Sequence, residues 1–283
     1  MRIIETTSEM QQQADVWRRE GKRIVLVPTM GFLHKGHLAL MQEARRRGDI
    51  VVVSIFVNPT QFGPGEDIDR YPRDFERDVR LASEAAVDVI FIPQAKEMYP
   101  ADYQTFVEVT KVTVPLCGRS RPTHFRGVTT VVAKLFNIVK PHLAVFGEKD
   151  FQQLLTVRKM VQDLNMDVEV VGHPIVREED GLAMSSRNNY LSPEERRTAN
   201  RLSCSLREAQ TLVEQGEKHG EVILSRTREL LEEGGGVRID YLQLCRPDTL
   251  EEVSRIDGPA LLAMAAFGGT TRLIDNCILR PRA

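Results

Sequence analysis

The chain has 283 residues, of which 42% are hydrophobic and 28% are charged, and its formal net charge is −2. These values are ordinary for a soluble globular protein of one large or two modest domains. The near-zero charge argues against a general affinity for nucleic acid. No apolar stretch approaches the ~20 residues of a membrane helix. Four scattered cysteines without a C-x-x-C pair favour a reducing cytoplasm over a disulfide scaffold or a zinc ribbon.

Helices and strands are predicted to alternate through the first part of the chain. In chain order the pattern predicts a helix at 8–20, a strand at 24–27, a helix ending near 47, a strand at 50–57, a helix at 75–86, strands at 87–92 and 106–110, a helix at 128–139, a strand at 143–146, a helix at 150–164 and a strand at 168–171. This alternation predicts an α/β fold with a Rossmann-like doubly wound parallel sheet. Ligands of such sheets bind beyond the carboxyl ends of the strands.

The pattern changes near residue 177 and predicts a smaller C-terminal α+β domain. A polar loop at 181–189 precedes Ser192-Pro193-Glu194-Glu195, which is typical of a helix N-terminus with a capping box. Helices are predicted at 192–215, 218–233 and 249–254, and strands at 237–244 and 260–267. We therefore predict one domain over 1–176 and a second over 177–283. The second domain, with the glycine-containing loop 181–189, is expected to close over a bound ligand.

The segment after the first long strand carries the strongest chemical signal. Ile24–Val27 leads through Gly31, which permits a tight turn, into His34, Gly36 and His37 at the start of a helix. The first amides of a helix are unpaired and the macrodipole is positive there, so an anion is stabilised. Two imidazoles at this position suit a nucleotide phosphate. Two unrelated surface histidines remain an alternative, while a zinc site is disfavoured because no zincin-like arrangement is present.

Three further segments carry polar groups with two interpretations each. Lys149 lies at a helix start, where the dipole disfavours a cation, so a functional reason is favoured over a surface lysine. Asp150 is either a ribose ligand or the N-cap of that helix. The run 184–187 suits a polyphosphate or forms an ordinary polar loop. The arginine-rich turn 118–127 either meets phosphate or is solvated.

Four segments together resemble known enzymes. VPTMGFLHKGH is similar to the HxGH signature of the adenylylating superfamily that includes class I aminoacyl-tRNA synthetases. SIFVNPTQF (Ser54–Phe62), FGEKDFQQL (Phe146–Leu154) and DGLAMSSRNNYL (Asp180–Leu191) resemble the pantoate–β-alanine ligase family, in its order and spacing over nearly the whole chain. The chain departs from the family at Thr60, where many members carry Met.

The resemblance implies a reaction and its partners. ATP, pantoate and β-alanine would give pantothenate, AMP and pyrophosphate through a pantoyl-adenylate, with Mg²⁺ on the phosphates. The resemblance also implies a homodimer, while the charge and the short apolar stretches argue against a nucleic-acid or membrane partner.

The resemblance further assigns residues to each part of the site. Catalysis is implied for His37, His34, Lys149 and Arg187. ATP binding is implied for Met30, Gly31, His34, Gly36, His37, Gly147, Glu148, Lys149, Asp150, Val176, Met184, Ser185, Ser186 and Arg187. Pantoate or β-alanine binding is implied for Gln61, Gln153 and Arg121, with Met30, Phe62 and Val131 as an apolar wall. No metal ligand is assigned.

Two rival functions remain open at this point. A nucleotidyltransferase would keep the nucleotide on its product, and the HxGH motif alone does not exclude one. An RNA-binding relative of the synthetases is disfavoured by the charge and by the lack of an aromatic–basic motif. His124, His142, His173 and His219 are expected to be structural or surface residues.

Overall fold

Six parallel strands form the first sheet of the computed structural model, which describes residues 1–281. They are β1 (Arg2–Ile4), β2 (Ile24–Thr29), β3 (Ile50–Ile55), β4 (Val89–Phe91), β5 (Leu143–Gly147) and β6 (Glu169–His173), in the order β1-β4-β3-β2-β5-β6. Residues 24–27 and 51–53 are fully buried. Such unbroken apolar runs are typical of interior parallel strands that are covered on both faces.

Helices cover both faces of this sheet. The helices of the chain are α1 (Thr7–Arg19), α2 (Lys35–Arg47), α3 (Phe75–Glu84), α4 (Ala95–Met98), α5 (Cys117–Ser120), α6 (His124–Val139), α7 (Phe151–Asp163), α8 (Pro193–Ala199), α9 (Arg201–Glu214) and α10 (Gly220–Glu232). Residues of α1, α6 and α7 share one apolar core with alternate strand residues, and those of α2 and α3 share a second core with the others. The predicted doubly wound parallel sheet is confirmed.

The strand order reverses at β2 and β5. From β2 the chain proceeds through β3 to one side of the sheet, and β5 then lies on the other side of β2. In doubly wound sheets this reversal opens a crevice at the carboxyl ends of the two strands, where ligands bind. The HxGH segment follows β2, and Gly147 ends β5.

The C-terminal part of the chain forms an antiparallel sheet of three strands. These are β7 (Val237–Cys245), β8 (Ala260–Gly268) and β9 (Thr271–Leu279). The apolar sides of α9 and α10 pack on one face of this sheet in a separate core. α8 begins with the predicted capping box, in which Ser192 and Glu195 bond each other's backbone N–H groups. The predicted smaller α+β part is confirmed.

Two compact units divide the chain. Unit 1 comprises Met1–Thr110, Arg121–Glu148 and Gln153–Pro174, and unit 2 comprises Lys111–Ser120, Lys149–Gln152 and the chain from Ile175 onward. The units are therefore discontinuous in sequence, whereas the predicted domains, 1–176 and 177–283, are continuous. Within residues 1–281, no helix has the length and apolar character needed to span a membrane.

Two predicted elements are absent from the structure, and the predicted helix 192–215 is divided into α8 and α9. Residues 106–110 form no strand, because the Val107 N–H donates to Thr130 Oγ1 at 3.0 Å and its carbonyl accepts from Thr129 Oγ1 at 2.6 Å. Residues 249–254 form no helix, because Leu250 has φ 60° and the Val253 N–H donates to the Leu244 carbonyl at 3.1 Å. In both segments these backbone groups form hydrogen bonds with residues outside the segment, and not the bonds of the predicted strand or helix.

Candidate active site

A buried carboxylate shapes the loop between β2 and α2. Gly31 has φ +84° and Phe32 has φ 49°, so two consecutive residues are left-handed. The N–H groups of Phe32 and Leu33 donate to the two carboxylate oxygens of Asp78 at 2.8 and 2.6 Å. A Cβ at Gly31 would lie 3.0 Å from both Asp78 Oδ2 and Ile55 Cγ2. The left-handed conformation thus favours glycine, and a side chain here would also press on Asp78 and Ile55.

Asp78 was not among the residues predicted from the sequence. It lies on α3 and is only 2% exposed. Burial raises its pKa, although the amide donors of Leu33 and Phe32 and the charge of Arg77 act in the opposite direction. A carboxylate in the first turn of an amphipathic helix, as in DFERDV, ordinarily faces solvent. Its burial is a property of the fold, so the local sequence carries no signal that would have identified it.

The two motif histidines lie together at the start of α2. His34 is the N-cap residue, and its backbone N–H donates to His37 Nδ1 at 3.3 Å. Their rings are stacked, with centroids 3.9 Å apart and planes inclined by 26°. Because Nδ1 of His37 accepts a hydrogen bond, the neutral ring carries its proton on Nε2, which is then a donor. Gly36 is half-buried at the second helical position.

Asn58 orients the predicted pantoate ligand Gln61. The Asn58 amide is buried and donates to Gln61 Oε1 and to the Gly127 carbonyl, both at 3.1 Å. Gln61 Oε1 is therefore the acceptor, and Gln61 Nε2 donates to the sulfur of Met30 at 3.2 Å. A Cβ at Gly127 would lie 2.3 Å from the Thr60 carbonyl oxygen, so only glycine permits this approach of α6. The structure thus brings Met30 and Gln61 together.

Two hydroxyl groups complete this network. Thr60 Oγ1 and Tyr99 Oη each donate to Asn58 Oδ1 at 2.9 Å. Burial raises the pKa of Tyr99 to about 12, with the Thr60 hydroxyl acting in the opposite direction, so this phenol remains a donor near neutral pH. Thr60 therefore adds a polar contact that a methionine at this position could not make.

Arg121 lies beside Gln61 but is engaged by a carboxylate. Its Nε and Nη2 donate to Glu66 Oε1 and Oε2 at 2.8 and 2.5 Å, and Nη2 also donates to the Gln61 carbonyl at 3.1 Å. Burial alone would raise the pKa of Glu66, but the hydrogen bonds and charge of Arg121 lower it overall. A bidentate pair of this kind holds a guanidinium rigidly. The predicted substrate contact of Arg121 stays a prediction.

His124 takes part in the same arrangement, although it was expected to be a structural or surface residue. Its Nδ1 lies 2.9 Å from the Gln61 carbonyl oxygen and its Nε2 lies 3.3 Å from Arg121 Nη1. A carbonyl only accepts and a guanidinium only donates. Both contacts are satisfied at once by the neutral ring with its proton on Nδ1. His124 thus helps to hold the backbone of Gln61.

The remaining predicted residues of unit 1 are spread over β5, α6 and α7. Gly147 ends β5 and Glu148 follows it, and a Cβ on Gly147 would meet open space. Gln153 is half-buried on α7. Val131 is buried in the core, and Phe62 packs edge-on against Tyr71, with ring centroids 6.2 Å apart.

Unit 2 places Lys149 and Asp150 immediately before α7. Lys149 Nζ lies 3.6 Å from Asp150 Oδ2, and the Lys149 side chain is 20% exposed. Asn276 Nδ2 donates to the Lys149 carbonyl at 3.0 Å. The neighbouring Gln152 is buried and bonds the Cys117 N–H and the Val112 and Pro115 carbonyls, so its amide has a structural role.

The predicted ATP loop is the end of an irregular hairpin. Met184 N–H donates to the Val176 carbonyl at 2.9 Å, and a bridge pairs Arg177 with Ala183. Ser185 caps a short 3₁₀ helix, Ser186–Tyr190, through a bond from the Arg187 N–H to its Oγ at 3.3 Å. Ser186 is 5% exposed. The segment 181–189 is thus an ordered structure rather than an open loop.

Among residues 1–281, no group of three or more His, Cys, Asp or Glu side chains could hold a metal ion. Within that range the HxGH histidines accordingly have no third ligand for a metal.

Comparisons with known proteins identify the family of the chain. A family model described as pantoate-beta-alanine ligase matches residues 2–278. A relative named pantothenate synthetase from Syntrophobacter fumaroxidans is 68% identical, with 100% of each chain covered. One from Geobacter sulfurreducens is 59% identical, with 99% of each chain covered.

Solved structures match as well. A crystal structure of pantothenate synthetase from Thermus thermophilus has a TM-score of 0.94 and 48% identity, covering 99% of this chain and 100% of that chain. That of pantoate-beta-alanine ligase from Francisella tularensis, complexed with beta-gamma ATP and beta-alanine, has a TM-score of 0.82 and 31% identity, covering 98% and 97%. From the family model and from these full-length likenesses it follows that the chain belongs to the pantoate–β-alanine ligase family of enzymes.

Proposed function

We propose that the chain uses ATP to join pantoate to β-alanine. The reaction proceeds through a pantoyl-adenylate and releases AMP and pyrophosphate. The observation that carries this proposal is the pair of stacked imidazoles at the N-terminus of α2, on a loop that Asp78 holds in shape. The ligase from Francisella tularensis, whose crystal structure is a complex with beta-gamma ATP and beta-alanine, gives further support.

The first step needs stabilisation of negative charge rather than a base. A carboxylate with a pKa around 4 is already ionised at neutral pH. One pantoate oxygen forms a bond to the α-phosphorus, and the bond from that phosphorus to the bridging oxygen breaks, so that pyrophosphate leaves. Nε2–H of His37, the imidazole of His34 and the ammonium of Lys149 act on the phosphate oxygens. Positioned donors of this kind lower the barrier by stabilising charge as it develops.

Amide groups suit the other substrate. Pantoate carries hydroxyl groups as well as a carboxylate, and an amide both donates and accepts. Gln61 is held by Asn58, and we assign it together with Gln153 to pantoate. Met30 lies against Gln61 Nε2 and supplies apolar surface for the gem-dimethyl group, with Phe62 and Val131 as further candidates.

The second step transfers the acyl group. The β-alanine amine, once deprotonated, forms a C–N bond at the acyl carbon of the adenylate. The bond from that carbon to the phosphate-linked oxygen breaks, and AMP leaves with that oxygen. Arg121 is assigned to a substrate carboxylate, in addition to its pair with Glu66.

The polyphosphate is assigned to the end of the hairpin. The ATP contacts there are Val176, Met184, Ser185, Ser186 and Arg187, with Gly31, Gly36, Gly147, Glu148 and Asp150 as the other ATP-binding residues. Mg²⁺ would enter bound to the phosphate oxygens of ATP and neutralise part of their charge. Such an ion usually keeps several waters and few protein ligands.

The resemblance supports a homodimer, and the four free cysteines support a reducing cytoplasm.

A product assay tests the proposal. The purified chain is incubated with ATP, Mg²⁺ and pantoate, with and without β-alanine, and the nucleotides are separated. We expect AMP and pantothenate to form in equal amounts only when β-alanine is present. ADP in either reaction, or a final product that keeps the nucleotidyl group when β-alanine is present, would contradict the proposal.

A further inference from the structure

Strand β9 carries two adjacent polar residues that are almost fully buried. Asp275 is 1% exposed and Asn276 is 6% exposed. Neighbouring residues of a strand point to opposite faces of its sheet, so the two side chains reach different parts of unit 2. The Asn276 N–H also donates to Asp275 Oδ1 at 2.8 Å. Buried polar groups are normally hydrogen-bonded, so the partners of these two side chains indicate which segments they hold in place.

Asp275 holds the first strand of the hairpin. Arg177 Nη1 and Nη2 donate to Asp275 Oδ2 and Oδ1 at 2.7 and 3.0 Å, and Nη1 also donates to the Gly181 carbonyl at 3.0 Å. The Asp275 side chain is inaccessible to solvent, whereas that of Arg177 is 31% exposed. Arg177 thus links Asp275 to the first strand and to the turn of the hairpin that ends at Met184.

Asn276 holds the backbone at Lys149. Its Nδ2 donates to the Lys149 carbonyl at 3.0 Å, at the point where the chain enters α7. This bond is made to the backbone of Lys149, so it fixes the position from which the lysine side chain extends. The Lys149 side chain is 20% exposed and has only the 3.6 Å contact with Asp150 among the ion pairs of the described residues.

We propose that Asp275 and Asn276 are positioning residues for ATP turnover, because together they tie the two ATP segments of unit 2, at Lys149 and at 184–187, to one strand. The inference rests on the proposed function, since it takes those segments as ATP ligands. Neither residue belongs to the segments on which the family resemblance rests. An error of about 1 Å in the place of a catalytic group can reduce the rate by roughly 100-fold.

A double-mutant cycle tests the link between Asn276 and Lys149. Asn276→Ala removes the amide and keeps the backbone, and Lys149→Ala removes the ammonium. We expect Asn276→Ala to lower kcat for AMP formation roughly 10-fold to 100-fold in the wild-type background. In the Lys149→Ala background the same change should lower kcat less than about twofold, because the group that it positions is gone. The KM for β-alanine should stay within about twofold.

Asn137→Ala provides the matched control. The Asn137 amide donates to the Ala133 carbonyl at 2.8 Å on α6, so the same kind of bond is lost elsewhere in the chain. This variant should keep the wild-type kcat. Melting temperatures of all variants separate lost stability from lost positioning.

Asp275→Asn tests the other half of the inference. It keeps the volume of the side chain but removes the charge that faces Arg177, and we expect a roughly tenfold higher KM for ATP. If this variant does not fold, the Asn276 cycle decides alone. Unchanged kcat in Asn276→Ala, or equal fold-losses in both backgrounds, would overturn the inference and leave the proposed reaction intact. Full activity of Lys149→Ala would overturn both the inference and the proposed role of Lys149.

Discussion

Asp78 is the residue on which the shape of the HxGH loop most depends. In Asp78→Asn the remaining side-chain oxygen still accepts one of the two backbone N–H groups. The new side-chain NH₂ group cannot accept, so it leaves the other backbone N–H without a partner. We expect AMP formation to fall at least about tenfold, and the free energy of unfolding to fall by about 1–3 kcal/mol, because a buried donor loses its partner. Steady-state kinetics and urea unfolding measure the two effects.

Asp74→Asn is the control for this change. Asp74 is the N-cap of the same helix, and its Oδ1 accepts the Arg77 N–H at 3.0 Å. Asparagine caps helices as well as aspartate does, so rate and stability should stay near the wild type. If the rate of Asp78→Asn equalled that of this control, Asp78 would have no part in shaping the site.

The pair of Glu66 and Arg121 predicts a pH dependence of stability. The pKa of Glu66 is lowered in the folded chain from its ordinary value of 4.5, so the carboxylate form is favoured by folding. The stability that it contributes is therefore present above pH 4.5 and is lost as pH falls through the lowered value. Glu66→Gln should be less stable than the wild type by about 1–3 kcal/mol near neutral pH. In acid this difference should shrink.

Urea unfolding across this pH range measures the difference. Glu232→Gln is the control, because Glu232 lies 3.9 Å from Arg228 and its side chain is 55% exposed. Exposed pairs contribute little, so this change should be near neutral at every pH. A stability difference between Glu66→Gln and the wild type that does not vary with pH would contradict the lowered pKa of Glu66.

At the scale of elements, the hairpin is held by ion pairs that were not predicted from the sequence. Arg196 Nη2 donates to Glu178 Oε2 at 2.7 Å and to Asp180 Oδ2 at 2.8 Å, and Asn188 Nδ2 donates to Glu178 Oε1 at 2.6 Å. Arg196→Gln should raise the rate of tryptic cleavage after Arg187 roughly fivefold, as expected when about 1 kcal/mol of local stability is lost. ATP with pantoate should slow this cleavage.

Arg226→Gln is the comparison for proteolysis. Arg226 pairs with Glu208 and Glu229 on exposed helices, so its loss should leave cleavage after Arg187 unchanged. Equal cleavage of the Arg196 variant and the wild type would show that these ion pairs do not hold the hairpin. Cleavage that ATP with pantoate fails to slow would argue against the proposed role of 184–187.

The parallel sheet could be predicted because its strands are short apolar runs separated by helical periodicity. β9 could not, because Arg272, Asp275 and Asn276 interrupt its apolar pattern, and only their buried partners explain them. β1 has only three residues, so the sequence pattern does not identify it as a strand. α8 and α9 were predicted as one helix, since nothing in the local pattern marks the break at Asn200.

The candidate site shows the same limit. The motif histidines and Gln61 carry recognisable chemistry in their local sequence. Asp78, Asn58 and His124 act through bonds to residues distant in the chain, as in Asp78 to Leu33 with a separation of 45. Such partners become visible only when the fold brings them together.

At the scale of the whole molecule, we expect the chain to carry out an acyl-adenylate reaction. The route of a single oxygen atom tests this most directly. Pantoate labelled with heavy oxygen in its carboxylate is converted with ATP and β-alanine, and the nucleotide and phosphate products are analysed by mass spectrometry. We predict one labelled oxygen in AMP per turnover, because the attacking oxygen stays on phosphorus when the amine displaces AMP. Unlabelled AMP, or ADP with label in orthophosphate, would contradict the acyl-adenylate route.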